Sequence, residues 1–381
     1  MQLITSLSRI FVGILFIFSG AIKLNDPKGF SYKLEEYFAP DVLNMPFLID
    51  YALAMAVLLV IVEIILGIAL LIGFKPKATT FSLLGMIVFF TFLTFYSAYF
   101  DKVTDCGCFG DAIPLTPWES FYKDLILLVL ILWLTLKRNS INSLMTGKMQ
   151  WAVLGFFIMA SAVFGNYVLN HLPVMDFRPF AVGKDLVKGM MSAEELGLEP
   201  PKFETFYVLE NTETGVQVEV TATQYVEEKL YENKSLKLIP ELSSSKQISE
   251  GYEPPIHDFA MYYQGADVTR SVIWAPTYMM IFAKDLHTLT DENVASMISL
   301  VDDATNLQIP TIVITSTPED VVLAFYKKYH PNFNFGLMDE TTVKTIVRAN
   351  PGVLLIRGGI VKGKWAIQDI PSVEEMKNTL L

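Results

Sequence analysis

The chain has 381 residues, 52% of them hydrophobic, a mean hydropathy of +0.40 and a formal net charge of −11. This is too apolar for a wholly soluble chain and reads as a membrane part joined to a polar part. Eleven Lys/Arg and eleven Asp/Glu precede His171, so all the net negative charge lies after it, which argues against nucleic acid and anionic lipid as electrostatic partners.

Five apolar segments run in order: Leu3–Ile22, Tyr51–Phe74, Thr79–Phe100, Phe121–Leu136 and Trp151–Leu169. Most approach the ~20 residues that cross a bilayer, and the fourth must borrow its polar ends. The first lacks a basic leader and is followed by four more spans, so it reads as a span and not as a cleaved signal. Lys75 and Lys77 fall between spans two and three, and Lys137, Arg138 and Lys148 between spans four and five. Those loops belong on the cytoplasmic side, which sends Asp101–Glu119 and the polar part outward. The expected location is a bacterial inner membrane, with the N-terminus cytoplasmic and the C-terminal domain periplasmic.

Within the spans, Glu63 lies deep in the second segment, where an ionisable group costs at least ~2.5 kcal/mol by insertion scales. It is either a buried carboxyl satisfying one hydrogen bond or a proton relay beside a quinone head group. Arg9 and Lys23, toward the two ends of the first span, have snorkelling to the head groups as the simpler reading. Gly13, Ser19, Gly20, Gly67 and Gly73 read as close-packing positions.

The loop after span three is Asp105-Cys106-Gly107-Cys108-Phe109-Gly110-Asp111, and it holds the only two cysteines of the chain. A Cys-x-Cys disulfide closes a very small ring, which favours exchange over stapling. Gly107 supplies the backbone freedom to close it. The surrounding carboxylates disfavour a thiolate, with Lys102 the one basic neighbour within the loop. Three readings remain open: a redox-active pair, a quiet disulfide or thiol pair shaping the loop, and a metal site. Two sulfurs do not complete a four-ligand zinc site, and no metal is expected.

Arg9, Gly13, Phe16, Ser19-Gly20, Lys23-Leu24, Asp26-Pro27, Gly29-Phe30, Glu35, Tyr37 and Glu63 together resemble the DoxX-type four-helix membrane family. Cys106-Gly107-Cys108-Phe109-Gly110-Asp111, with Trp118-Glu119-Ser120 and Lys123-Asp124, resembles its MauE (methylamine-utilisation) branch. The resemblance implies periplasmic disulfide formation, and for the wider group quinone-linked thiol oxidation. It makes Cys106 and Cys108 the candidate catalytic residues, Glu63 and Arg9 the candidate quinone-binding ones. The second cysteine pair that usually passes electrons onward is absent from this sequence.

Beyond Leu169, Phe203–Glu210 and Gly215–Val220 read as a hairpin, Thr221–Glu232 as a helix and Ser243–Pro255 as a loop. Strand Tyr278–Phe282, helix Asn293–Leu307, strand Thr311–Thr315, helix Pro318–Tyr329, strand Phe333–Leu337, helix Thr341–Arg348, a hairpin across Gly358-Gly359 and a closing helix Ser372–Leu380 follow. This order resembles a thioredoxin-like fold, with Asn350-Pro351 at that family's cis-proline position. Its active-site pair is replaced by Ala283-Lys284-Asp285-Leu286-His287, so exchange chemistry has no sulfur there.

The expected architecture is therefore an all-α membrane bundle, four-helix DoxX-like plus a fifth span, followed by a soluble α/β thioredoxin-like domain. Its parts are residues 1–140 (bundle), 141–172 (fifth span), 173–254 (linker and small α+β subregion) and 255–381 (the domain without cysteines). The expected function is a periplasm-facing thiol–disulfide redox or electron-relay role with an envelope protein as client. The alternative is a non-enzymatic scaffold whose outer domain binds an envelope partner.

Overall fold

The structure, a computed structural model, describes residues 2–100, 102–103, 107–372 and 375–376. Cys106, and most of the closing helix expected over Ser372–Leu380, lie outside the described residues. Two compact units emerge, residues 1–183 with 260–381, and residues 184–259.

The first unit opens with six helices: α1 (Gln2–Asn25), α2 (Pro27–Phe38), α3 (Ala52–Ile72), α4 (Pro76–Phe100), α5 (Pro117–Leu136) and α6 (Gly147–Asn170). Among the described residues four stretches, Gln2–Asn25, Pro46–Ile72, Pro76–Phe100 and Gly147–Asn170, are long and apolar enough to cross a membrane. Leu3, Phe11, Phe92, Phe156 and Met159 on these helices are exposed and face lipid. Helix α5 spans 20 residues but carries Glu119, Lys123 and Asp124 in its first turns. It packs on α4 and α1, and its start is fixed by Pro117 and a capping box between Thr116 and Glu119.

Two glycines set the tightest helix contact. A Cβ on Gly13 of α1 would lie 2.6 Å from Leu71, and one on Gly67 of α3 2.8 Å from the Gly13 carbonyl. Small residues let the two backbones meet where lipid offers no hydrophobic drive.

Helix α2 was not readable as a span, and it is not one. Asp26 caps it, accepting from the Gly29 amide, and Pro27 sits in its first turn. Phe30, Leu34 and Phe38 recur at helical spacing and bury into the bundle. Lys28, Tyr32, Lys33, Glu35 and Glu36 lie outside that buried stripe.

The second unit holds α7 (Leu186–Met190), α8 (Ala193–Leu196), β1 (Lys202–Asn211), β2 (Gln217–Thr221), α9 (Ala222–Glu227) and β3 (Leu236–Ser249). Its sheet is antiparallel in the order β2-β1-β3. The β1–β2 hairpin follows the sequence expectation, turning at Gly215, whose amide donates to the Asn211 carbonyl. Residues 243–249, expected in a loop, extend β3 because β1 offers a pairing edge.

The rest of the first unit contains β4 (Tyr262–Tyr263), β5 (Ala266–Asp267), α10 (Thr269–Ile273), β6 (Thr277–Phe282), α11 (Asp291–Asn306), β7 (Thr311–Thr315), α12 (Glu319–Tyr329), β8 (Phe335–Leu337), α13 (Glu340–Ile346), β9 (Gly352–Arg357) and β10 (Ile360–Ala366). Seven strands order as β10-β9-β6-β7-β8-β4-β5. The β6–β7–β8 pairs are parallel and the β6–β9–β10 pairs antiparallel. Met279, Ile281, Val313, Val353 and Leu355 pack against α11 and α12, while Met280, Phe282, Leu354 and Ile356 are buried on the other face. A sheet covered on both faces explains why these strands read as continuous apolar runs. The Asn350-Pro351 peptide is cis.

The connector after α6 binds β10 through a buried cluster. Asp176 accepts from Arg178 Nε at 2.8 Å and from Lys364 Nζ at 2.6 Å. Burial works against the Asp176 carboxylate, but the two cations outweigh it and hold it below its ordinary value. Burial, with Arg178 beside it, brings Lys364 down to about 7. The unfolded chain then holds that proton more tightly, between about 7 and the ordinary 10.5. Stability is expected to rise with pH across that window and to be flat in this contribution below it. Thermal melts at stepped pH should show the rise in the wild type and lose it in Lys364→Met.

Candidate functional site

The cysteine turn folds over one end of the bundle. Gly107 and Gly110 take left-handed φ values of +64° and +51°, and the Gly110 amide donates to the Gly107 carbonyl at 3.2 Å. Ser19 of α1 donates its hydroxyl to the Cys108 carbonyl at 2.9 Å. Phe109 is buried, with its ring 5.8 Å from that of Phe18.

Beneath the turn lie two cation–carboxylate pairs. Lys23 Nζ and Glu63 Oε2 are 2.8 Å apart, with side chains only 4% and 5% exposed. The Lys23 ammonium also lies 5.2 Å from the Phe30 ring and 4.7 Å from the Phe90 ring. Lys123 Nζ lies 2.7 Å from Asp124 Oδ1, and Thr94 donates to Asp124 Oδ2 at 3.2 Å. The Lys123 ammonium also hydrogen-bonds the Cys108 sulfur. An ammonium there stabilises negative charge on sulfur, the opposite of what the acidic loop sequence suggested.

Cys108, Ser19, Lys23, Glu63, Lys123 and Asp124 line one cavity of about 20 Å³. That is room for about one water. Of the residues singled out in the sequence, Glu63 and Cys108 are thus brought together. Cys106 lies outside the described residues. Arg9 sits elsewhere, donating to the carbonyls of Leu70, Leu71 and Asn142. It is 14 residues, roughly 21 Å of helix, from Lys23. Lys123, Asp124 and Thr94 were not picked out as site residues. Their signal was the Lys123-Asp124 pair at the start of an apolar helix.

On the outer side of the turn the sheet part of this unit meets α2. Arg348, just after α13, reaches Asp26 Oδ2 at 2.8 Å and Asp111 Oδ2 at 3.5 Å. Lys28 donates to the Arg348 carbonyl at 2.9 Å, and Lys344 Nζ lies 3.6 Å from Glu35. The Tyr32 ring receives Arg348 at 5.3 Å and Lys344 at 4.8 Å. Burial opposes the charge of Arg348, but Asp26 and then Asp111 hold its proton above the ordinary value. Asn25 and Met175 exchange two hydrogen bonds, and His171 Nδ1 lies 2.6 Å from Asp369. Asn25, Asp26, Tyr32, Glu35, Lys344 and Arg348 line a partly open chamber of about 560 Å³.

Residues 1–137 match the family model of methylamine utilisation protein MauE. The match ends with α5, so the MauE-like region contains both ion pairs and the cysteine turn. With four apolar helices, the chain is a multi-pass membrane protein. No curated protein and no solved structure matches it.

Proposed function

We propose that the chain is a thiol–disulfide exchange protein of the DoxX/MauE type, working through Cys106 and Cys108 at the periplasmic end of the bundle. The observation that carries this reading is Cys108, hydrogen-bonded to Lys123 above the buried Lys23–Glu63 pair. Burying the Lys23–Glu63 pair costs more desolvation than a packed apolar core would, so its retention beside a sulfur points to use. The orientation rests on Lys75, Lys77, Lys137, Arg138 and Lys148, all in connections at the end opposite the cysteine turn.

In the exchange step a client thiolate attacks one sulfur of the Cys106–Cys108 disulfide. A bond forms to the client and the other sulfur leaves as a thiolate. A second client thiol displaces the first bond, leaving the client oxidised by two electrons and the pair as two thiols. Lys123 steadies the sulfur while it carries charge, and the Lys23–Glu63 pair lines the same cavity. The quinone expected from the family resemblance does not fit here, since a cavity of about 20 Å³ holds a water and not a quinone ring, and no electron step is routed through it. Residues 255–381 serve as a thioredoxin-like module that has given up its own sulfurs and binds the client.

Acid-quenched alkylation in intact cells tests this. The wild-type pair should be found oxidised, turn reduced after a dithiol pulse, and return to the disulfide when the dithiol is washed out and a small disulfide is added as the two-electron oxidant. A pair that never changes state, with a Cys106→Ser variant that works normally, would return the chain to the scaffold reading. In the same assay Lys123→Met should slow alkylation of reduced Cys108 at neutral pH by about tenfold, while Lys123→Arg retains most of the rate.

A further inference from the structure

The 560 Å³ chamber has the size of a small-molecule site, not of a packing defect. Its floor adjoins the cysteine turn. Lys23, Phe30 and Gly107 line the chamber and also line a second small cavity that includes Cys108. A Cβ on Gly107 would lie 3.2 Å from Lys33 Cγ, so α2 approaches the turn closely on this side. Its opposite wall is α13, through Thr341, Lys344 and Thr345, closed by Arg348.

The lining chemistry narrows the occupant. Each Lys or Arg in it already faces a carboxylate: Lys23 with Glu63, Lys33 with Glu36, Arg178 with Asp176, Lys344 with Glu35, and Arg348 with Asp26. A simple anion or cation would gain no unpaired counter-charge. Between these pairs stand Phe30, Phe177, Met175 and Pro173. Paired charges interleaved with apolar faces suit a segment that carries amide groups and side chains but little net charge. They do not suit a quinone head group, whose isoprenoid tail would need an apolar path.

We propose that this chamber is the client site, taking a cysteine-bearing peptide segment of a few residues and presenting its thiol to the turn past Gly107. Helix α13 is its specificity wall. This rests on the exchange reading above, and it commits the outer part of the chain to substrate selection. The same chemistry could come from a free cysteine tripeptide or from an extended loop of a reduced protein.

The test uses the full chain in membrane vesicles, in a Cys106→Ser background where the mixed disulfide on Cys108 is trapped. Three probes compete: methyl methanethiosulfonate, a nitropyridyl-activated cysteine tripeptide, and a folded protein with one activated cysteine on an extended loop. Thr345→Trp fills the chamber from α13 without touching the bundle. It is expected to slow the tripeptide at least tenfold and leave the methyl reagent within twofold, and Thr341→Trp should repeat the pattern if Thr345→Trp folds poorly. Loss of rate with the folded protein as well assigns the site to protein loops. Loss with the tripeptide alone assigns it to free small thiols. Equal effects on methyl and peptide probes, or none on either, overturn the chamber. Because this readout is accessibility and not cycling, size selection by a pair that never cycles in cells would sink the exchange reading and leave the chamber standing.

Discussion

Replacing Lys23 with methionine should destabilise the bundle by about 3–5 kcal/mol, the loss seen when one member of a buried ion pair is removed. Glu63 would be left 5% exposed without its ion-pair partner. Two further contacts vanish with the ammonium, those to the Phe30 and Phe90 rings. Glu63→Met alone should be similarly harmful, since it strands Lys23. The double replacement should recover most of the loss, because two apolar side chains of similar volume need no desolvation. Unfolding of purified protein in nanodiscs reads all three variants. A harmless Lys23→Met would mean that the pair is not held as a unit. A stable double variant that no longer exchanges thiols would separate the pair's chemical role from its structural one.

That pair also illustrates what could be read in the sequence and what could not. Glu63 announced itself, as an acid in the run Val60-Ile61-Val62-Glu63-Ile64-Ile65 must face protein and not lipid. Its partner did not, because Lys23 near a span end has an easier explanation in snorkelling. Only the closeness of α1 and α3, set by Gly13 and Gly67, makes the pairing inevitable. The reading of the cysteine loop failed for a similar reason. Counting neighbours along the chain gives three aspartates and one lysine, whereas the fold delivers Lys123 from the next helix to the sulfur. Local sequence reports the loop's own charge and nothing of what α5 brings.

The apolar helices were legible because their signal is one of composition. The β6–β10 strands were legible because both faces are covered and the runs are unbroken. Helix α2 was hidden because its charged residues read as a solvated connection, although Asp26-Pro27 followed by Phe30, Leu34 and Phe38 carried the start signal and the period. The polar end of β3 was hidden because Ser243, Ser244 and Ser245 favour loops until β1 supplies an edge. The paired residues of β4 and β5 are too short to announce themselves at all.

Arg348→Gln carries the second large effect, because this side chain is 8% exposed and anchors the outer wall of the chamber to the bundle. Truncating one member of a buried, hydrogen-bonded charge pair costs roughly 2–5 kcal/mol. Stacking on Tyr32 and the Asp111 contact are lost with it. Hydrogen–deuterium exchange should therefore quicken in both α2 and α13, which lose a shared anchor, while α11, buried against the far side of the sheet, keeps its protection. Asp26→Asn isolates the ion pair, since asparagine caps a helix as well as aspartate does and the Gly29 amide keeps an acceptor. Its effect should add less than fully to that of Arg348→Gln, because the two variants share the Asp26–Arg348 interaction. The reversal Asp26→Arg with Arg348→Asp forfeits the α2 cap and should restore the anchor only in part, beating either single reversal. Faster exchange confined to α13, with α2 unchanged, would show that the sheet part holds its own helix and that the bundle does not depend on this arginine.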